Sequence, residues 1–281
     1  MGRTMKIIDG KALSTEIRAE LKEKIANSVK KPGLAVVIVG EDPASRIYVR
    51  NKIKACEDLG ICSYCYELPF DATQEDLEKV LDSLASNEQV DGILLQLPLP
   101  KHLDTEAAVS HIPYEKDVDG FSPQNLGLLM QNKQIIAACT PSGVMKMLQK
   151  EGVDPTGKHA VIIGRSEQVG KPMAMLLLNA NATVTVCHSK TKNLPDICKN
   201  ADVLVVAVGK PRFVTAEMVK EGAIVVDVGI NRDENGKICG DVDFESVSQK
   251  AEWITPVPGG VGPMTITMLL KNTCIAAWEN D

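Results

Sequence analysis

Ala160-Val-Ile-Ile-Gly164-Arg-Ser-Glu-Gln-Val-Gly170-Lys-Pro172 sets the architecture of the second half of this chain. Its first four residues form an apolar, mostly β-branched run that suits a strand buried on both faces. Two glycines follow, and residues 170–180 carry a helical pattern. A glycine-rich turn between strand and helix presents backbone N–H groups and the positive end of the helix dipole to a phosphate. This is not a P-loop, which needs the second glycine one residue earlier and a hydroxyl where Pro172 stands. Nor is it strictly G-x-G-x-x-G. Two glycines also suit an ordinary βα turn, so the flanking sequence has to carry the reading further.

Thr183-Val-Thr-Val-Cys187 reads as the next strand. NAD sites usually place Asp or Glu about 20 residues beyond the first glycine, on the ribose 2′-OH. Here His188-Ser189-Lys190-Thr191-Lys192 starts 24 residues beyond Gly164 and holds no acid. A basic, hydroxyl-rich segment suits a 2′-phosphate, so NADP is favoured over NAD, and Arg165 adds charge beside the phosphate turn. The alternative is a solvated turn after an edge strand. A short helix over 194–200 and buried strands over 202–209 and 223–229 follow. Then comes the loop Thr255-Pro-Val-Pro-Gly-Gly-Val-Gly-Pro263, and a last helix starting near Met264.

The first half repeats the alternation. Helices are expected over 11–31, 44–59 and 72–86, the last opened by Asp71. Strands are expected over 33–40, 61–68 and 91–97, the last cut off by Pro98 and Pro100. The stretch after it, with Pro113, Lys116-Asp-Val-Asp-Gly120 and Pro123, reads as irregular. A helix over 143–151 is expected, capped by Thr140 or Ser142. Repeated strand–helix–strand order predicts an α/β fold with parallel sheets. Two domains are expected: residues 1–140, and a Rossmann-like unit over 141–263 followed by the helix 264–281.

The 281 residues are 44% hydrophobic and 24% charged, the composition of a soluble globular protein. A net charge of −6, no long Lys/Arg run and 4% aromatics disfavour nucleic acid as the partner. No apolar run reaches the ~18–20 residues that span a bilayer, and no secretory signal is read at the start. The eight scattered cysteines are therefore expected as reduced thiols in a cytoplasmic protein. Cys62-Ser-Tyr-Cys65 lies in an expected strand, where i and i+3 face opposite sides. No metal site is expected.

Tyr48 and Lys52 stand i, i+4 in an expected helix and so share a face. Gln96 interrupts the apolar Leu94-Leu95-Gln96-Leu97, and a buried amide must have partners. Asp117 and Asp119 fall in the irregular stretch after the sheet, where parallel α/β folds place ligands. Tyr-x-x-x-Lys beside a nicotinamide site also suggests short-chain dehydrogenases. There, however, the glycine turn comes first, whereas Tyr48 precedes Gly164 by 116 residues.

Taken together, these pieces resemble the bifunctional methylenetetrahydrofolate dehydrogenase/cyclohydrolase (FolD) family over essentially the whole chain. The resemblance rests on Glu41-Asp-Pro-Ala-Ser-Arg-Ile-Tyr-Val-Arg-Asn-Lys52, Gly92-Ile-Leu-Leu-Gln-Leu-Pro-Leu-Pro100, Lys116-Asp-Val-Asp-Gly-Phe121, Gly164-Arg-Ser166 with Val169-Gly-Lys-Pro172, Cys187-His-Ser189 and Pro256-Val-Pro-Gly-Gly-Val-Gly-Pro-Met-Thr265. Glu167-Gln168 departs from the family pattern of a polar and then an apolar residue, and it puts an acid near the expected phosphates. The resemblance implies oxidation of a methylene-tetrahydrofolate by NADP⁺, then hydrolysis of the methenyl cation to 10-formyltetrahydrofolate. It implies tetrahydrofolate derivatives as substrates, a homodimer, an interdomain cleft and a final helix returning to the first domain. It assigns proton transfer to Lys52, held by Gln96, with Tyr48 packing on the folate and Asp119 accepting from the pterin N–H groups. It assigns Gly164, Arg165, Ser166, His188, Ser189 and Ile230 to NADP, with Pro258 and Gly259 lining the folate site. A non-catalytic dinucleotide-binding protein of this fold would lose Lys52, Gln96 or Asp119; all three are present.

Overall fold

The computed structural model describes residues 5–279. The ends of the expected stretches 1–140 and 264–281 therefore lie partly outside the described residues. In chain order the elements are β1 (Lys6–Ile7), α1 (Gly10–Asn27), β2 (Gly33–Val39), α2 (Pro43–Leu59), β3 (Cys62–Leu68), α3 (Gln74–Ala85), β4 (Gly92–Leu95), α4 (Thr105–Ser110), α5 (Pro123–Met130), α6 (Cys139–Lys150), β5 (His159–Ile163), α7 (Gly170–Asn179), β6 (Thr183–Cys187), α8 (Leu194–Cys198), β7 (Val203–Val206), β8 (Ile224–Asp227), β9 (Asn231–Arg232), β10 (Ile238–Cys239), α9 (Phe244–Val247), β11 (Trp253–Ile254) and α10 (Val261–Trp278).

The chain divides into two compact units. One holds Glu16–Cys139 and the described residues from Ile266 onward. Its sheet is three parallel strands in the order β3-β2-β4. Every residue of the central β2 is buried, as its unbroken Gly-Leu-Ala-Val-Val-Ile-Val run requires. Ala35, Val37, Ile93 and Leu95 pack with Leu77, Leu81 and Leu84 of α3. The period-2 face of the sheet thus meets the i, i+4, i+7 stripe of a helix. Thr73, not Asp71, caps α3, in a reciprocal capping box with Asp76. The expected irregular stretch contains α4 and α5. Pro123 is the first residue of α5, where its missing N–H costs nothing, and Ser122 caps it. Asn272 of α10 donates to the Val118 carbonyl at 2.8 Å and to the Ala137 carbonyl at 3.0 Å. Those bonds tie the last helix to this unit.

The second unit holds Thr140–Thr265 and the described residues before Glu16. Those early residues were expected with the first domain. They cluster here because β1 pairs in parallel with β11, Lys6 opposite Trp253, and strands of two residues are too short to show a period in sequence. The sheet is six parallel strands, β1-β11-β8-β7-β5-β6. Alternate residues Val161, Ile163, Leu204, Val206 and Val225 join Val247 and Ile254 in one buried cluster. Thr140 and Ser142 lie inside α6 and cap nothing; the Thr140 hydroxyl instead meets the Thr265 hydroxyl at 2.8 Å. The last helix starts at Val261, three residues earlier than expected, with Pro263 tolerated in its first turn.

Candidate active site

All strands of the three-stranded and of the six-stranded sheet are parallel, so in each the loops at the carboxyl ends fall along one edge, where such folds bind ligands. In the three-stranded unit that edge carries Gln96. Its polarity is explained by position: β4 ends at Leu95, and Gln96 is the first residue past the buried strand. Its N–H donates to the Val37 carbonyl, its side-chain Nε2 to the Leu97 carbonyl at 2.6 Å, and its Oε1 accepts from Lys52 Nζ at 3.1 Å. Lys52 comes from α2, which Asp42 caps by accepting from Ser45 N at 2.7 Å and Gly60 ends in the left-handed conformation. Tyr48 stands one turn before Lys52 and is 46% exposed.

Asp119 reaches the same edge because the segment at Asp117 bridges Ile93 in parallel, alongside β4. The loop is built around Asp117, whose carboxylate accepts from the N–H groups of Gly120 and Ser122 and from Asn125 Nδ2, at 2.7–3.0 Å. Gly120 is obligatory, since it has φ +72° and a Cβ there would lie 2.6 Å from the Ala138 nitrogen. Asp119 is partly buried, and desolvation pushes its carboxyl up to about 6, against the lowering pull of nearby Lys52 and of a hydrogen bond from the Cys139 thiol. Burial likewise pushes the Cys139 thiol up. Lys52, Gln96 and Asp119 thus converge, while the role of Asp117 is to shape the loop. Asn125, Asn272 and Cys139 complete that frame, and no local sequence signal marks them.

In the six-stranded unit, β5 lies between β6 and β7, so the chain leaves β5 toward one side and returns on the other. The carboxyl end of β5 is the topological switch point. There Gly164 has φ +131°, and a Cβ on it would lie 2.3 Å from the Ala207 carbonyl oxygen of the next loop. Gly170 meets Gly164 as closely: its Cβ would lie 2.3 Å from the Gly164 oxygen. Only glycines let this turn close over the start of α7. The Ser166 hydroxyl accepts from Val169 N at 3.2 Å and Gly170 N at 3.4 Å, which leaves its own hydrogen to donate outward. Glu167 does not stand unpaired against this turn; it holds Lys171 at 2.8 Å, and that bond keeps its carboxyl below the usual range.

Gly164 N donates to the Cys187 carbonyl, so the turn after β6 lies beside the phosphate turn. His188 braces it, its N–H donating to Thr191 Oγ1 at 2.8 Å and its Nδ1 accepting from Lys190 N at 3.1 Å. His188 is thereby engaged within its own turn, while Arg165, Ser189, Lys190 and Lys192 are exposed. Ile230, 54% exposed, leaves β8 on the far side of β7. Pro258 and Gly259 leave β11, and the Gly259 carbonyl accepts from Lys11 N at 2.9 Å. From the β6 turn to the β8 loop is three strand spacings, or about 14 Å, a span suited to an extended dinucleotide. A cofactor of NADP type fits this edge: a glycine cradle, outward N–H and hydroxyl donors, and exposed cations with no acid in the turn after β6. Among the described residues no group of three or more His, Cys, Asp or Glu side chains is placed to hold a metal.

Two models of one family match this chain: the tetrahydrofolate dehydrogenase/cyclohydrolase catalytic domain over residues 8–119, and the NAD(P)-binding domain over residues 138–281. The chain belongs to the tetrahydrofolate dehydrogenase/cyclohydrolase family. The bifunctional protein FolD of Moorella thermoacetica is 56% identical over 274 residues, 96% of this chain and 98% of that relative. The crystal structure of the bifunctional FolD enzyme of Campylobacter jejuni matches at TM-score 0.97 and 52% identity, covering 99% of this chain and 100% of its own. The FolD structure of Trypanosoma brucei, complexed with NADP cofactor and an inhibitor, matches at TM-score 0.93 and 41% identity, with 98% of each chain covered. The family's NAD(P)-binding model includes five of the six strands of that sheet, all but β1, and its catalytic model ends at Asp119.

Proposed function

We infer that this chain oxidises 5,10-methylenetetrahydrofolate to the 5,10-methenyl cation with NADP⁺ and hydrolyses that cation to 10-formyltetrahydrofolate. The observation that carries it is the Lys52–Gln96 contact at 3.1 Å with Asp119 beside it, in a member of this family. NADP⁺, when bound, supplies the hydride acceptor. The residues of the chain then divide the work. Arg165 and Ser189 would hold the 2′-phosphate, the 164–166 turn would hold the pyrophosphate, and Ile230 would serve the nicotinamide half. The methylene group loses a hydride and leaves a cation, so this step needs placement more than a base. Tyr48 packs on the folate, and Asp119 accepts from the pterin N–H groups. Hydrolysis needs a proton taken from the attacking water; Lys52 takes it, with Gln96 holding its Nζ.

The active form is a homodimer in the cytoplasm. Support for the compartment comes from the eight cysteines, all free thiols and six of them buried. No helix among the described residues is long and apolar enough to cross a membrane. The test mixes the protein with methylenetetrahydrofolate and NADP⁺ and follows absorbance for NADPH and the methenyl product. Growth of NADPH with formyl product is expected; no change where a known enzyme of the family turns over refutes the reading.

A further inference from the structure

Asp241 is fully buried and belongs to none of the motifs that carry the family resemblance. Its Oδ2 accepts from the N–H groups of Val208, at 2.6 Å, and Gly209, at 3.0 Å. Its Oδ1 accepts from Lys210 N and from Asn231 Nδ2, both at 2.8 Å. Three of these donors come from the loop that leaves β7 at its carboxyl end, and the fourth from Asn231, the first residue of β9. Asp241 is anchored in turn. Its own N–H and that of Gly229 donate to Asp227 Oδ1, both at 2.9 Å, and Val242 N donates to Asp227 Oδ2 at 2.8 Å. The packing admits nothing larger: a Cβ on Gly229 would lie 2.3 Å from Asp241 Cγ, and one on Gly240 would lie 1.9 Å from Asp227 Oδ2.

An apolar side chain at either position would leave the buried N–H groups that these carboxylates accept from without an acceptor. What two acceptor-only groups supply is a fixed spacing between loops. We propose that Asp241 is a positioning residue for the nicotinamide half of the cofactor. It fixes the 208–210 loop beside the switch point and, through Asn231, sets the backbone that presents the neighbouring exposed Ile230. This rests on the dehydrogenase reading above. The contacts to the 2′-phosphate lie on the other side of β5, so Asp241 acts equally on NADP⁺ and NAD⁺.

Asp241→Asn tests it. With its NH₂ in place of Oδ2 the amide faces the Val208 and Gly209 N–H groups, and in place of Oδ1 it faces the Lys210 N–H while Asn231 must turn its own amide; either way the 208–210 loop loses part of its anchor. Dehydrogenase kcat/KM is expected to fall about 10- to 100-fold, by the same factor with NADP⁺ and NAD⁺. Hydrolysis of the methenyl cation, run separately, reports on the unit holding Lys52 and is expected to stay within about twofold of wild type. Unchanged dehydrogenase activity, parallel loss of both activities, or an altered NADP⁺/NAD⁺ preference each overturns the proposal. If Asp241→Asn does not fold, Asn231→Ala replaces it: it removes one donor and leaves the backbone bonds, and the same pattern is expected with a several-fold loss. A wild-type protein inactive as a dehydrogenase overturns both the activity and this proposal; an active wild type with unaffected variants overturns this proposal alone.

Discussion

Lys52 Nζ donates to Gln96 Oε1 at 3.1 Å, although 44 residues separate them in sequence. The bond ties a helix to the end of a strand and orients an amine at the sheet edge. Gln96 Nε2 is spent on the Leu97 carbonyl, so the amide cannot turn over without losing both partners.

From this contact, Lys52→Gln is expected to separate the two chemistries. Glutamine keeps length and hydrogen bonding but takes no proton from water. Hydrolysis of the methenyl cation should fall ~10²–10⁴-fold, the usual worth of a positioned acid–base group, while dehydrogenase turnover stays measurable and methenyl product accumulates. The measurement is kcat and KM of each reaction on one preparation. Losses in step through KM would reduce Lys52 to an anchor for substrate.

Asp119 gives a pH signature. Its carboxyl sits at about 6 because burial disfavours the charge, so it gains charge as pH rises from 5 to 7. The folate KM should fall over that range, and in Asp119→Asn it should be higher and flat with pH. The same group affects stability with the opposite sign. Between its ordinary value of 3.8 and about 6 the folded chain holds a proton that the unfolded chain has released. Its contribution to stability is therefore present below 3.8 and lost as pH climbs through 6. A folate KM in Asp119→Asn that titrates as in wild type would assign the transition to another group.

Cofactor choice is read at the β6 turn. With no acid over 188–192, NADP⁺ is expected to outcompete NAD⁺. One charge-assisted phosphate contact is worth roughly 1.5–3 kcal/mol, or about 10- to 150-fold. Arg165→Ala and Ser189→Ala should each raise KM for NADP⁺ more than for NAD⁺. Equal kcat/KM for the two cofactors in the wild type would contradict this.

A stability prediction concerns the surface between α3 and α4. His111 Nδ1 contacts Asp82 Oδ1 at 2.7 Å, and this hydrogen bond raises the imidazole above its ordinary 6.5. The folded state favours the protonated ring, so the contribution is present below pH 6.5 and lost as pH rises through the raised value. His111→Ala should therefore lower Tm more at pH 5.5 than at pH 9. A difference independent of pH would show that the ring acts by packing alone.

Sequence alone determined the alternation of elements, because apolar runs and helical stripes are local patterns. It also determined the glycine turn at 164–170, because close backbone approach admits no other residue. Tyr48 and Lys52 on one helix face were legible for the same reason, being four residues apart. Tertiary structure decided what depends on distant partners. It ended β4 at Leu95 and so turned Gln96 from a buried anomaly into an edge residue facing Lys52. It made Asp117 the builder of the loop that presents Asp119, and it paired Glu167 with Lys171. It joined β1 to a strand nearly 250 residues away. It also assembled Asp227 and Asp241 into one buried knot, of which the sequence held one hint: Asp227 closes the apolar run Ala223-Ile-Val-Val-Asp227, as Gln96 follows another. A polar residue at the end of a buried strand tells that something must satisfy it, but which loop arrives to do so is settled only when the chain closes.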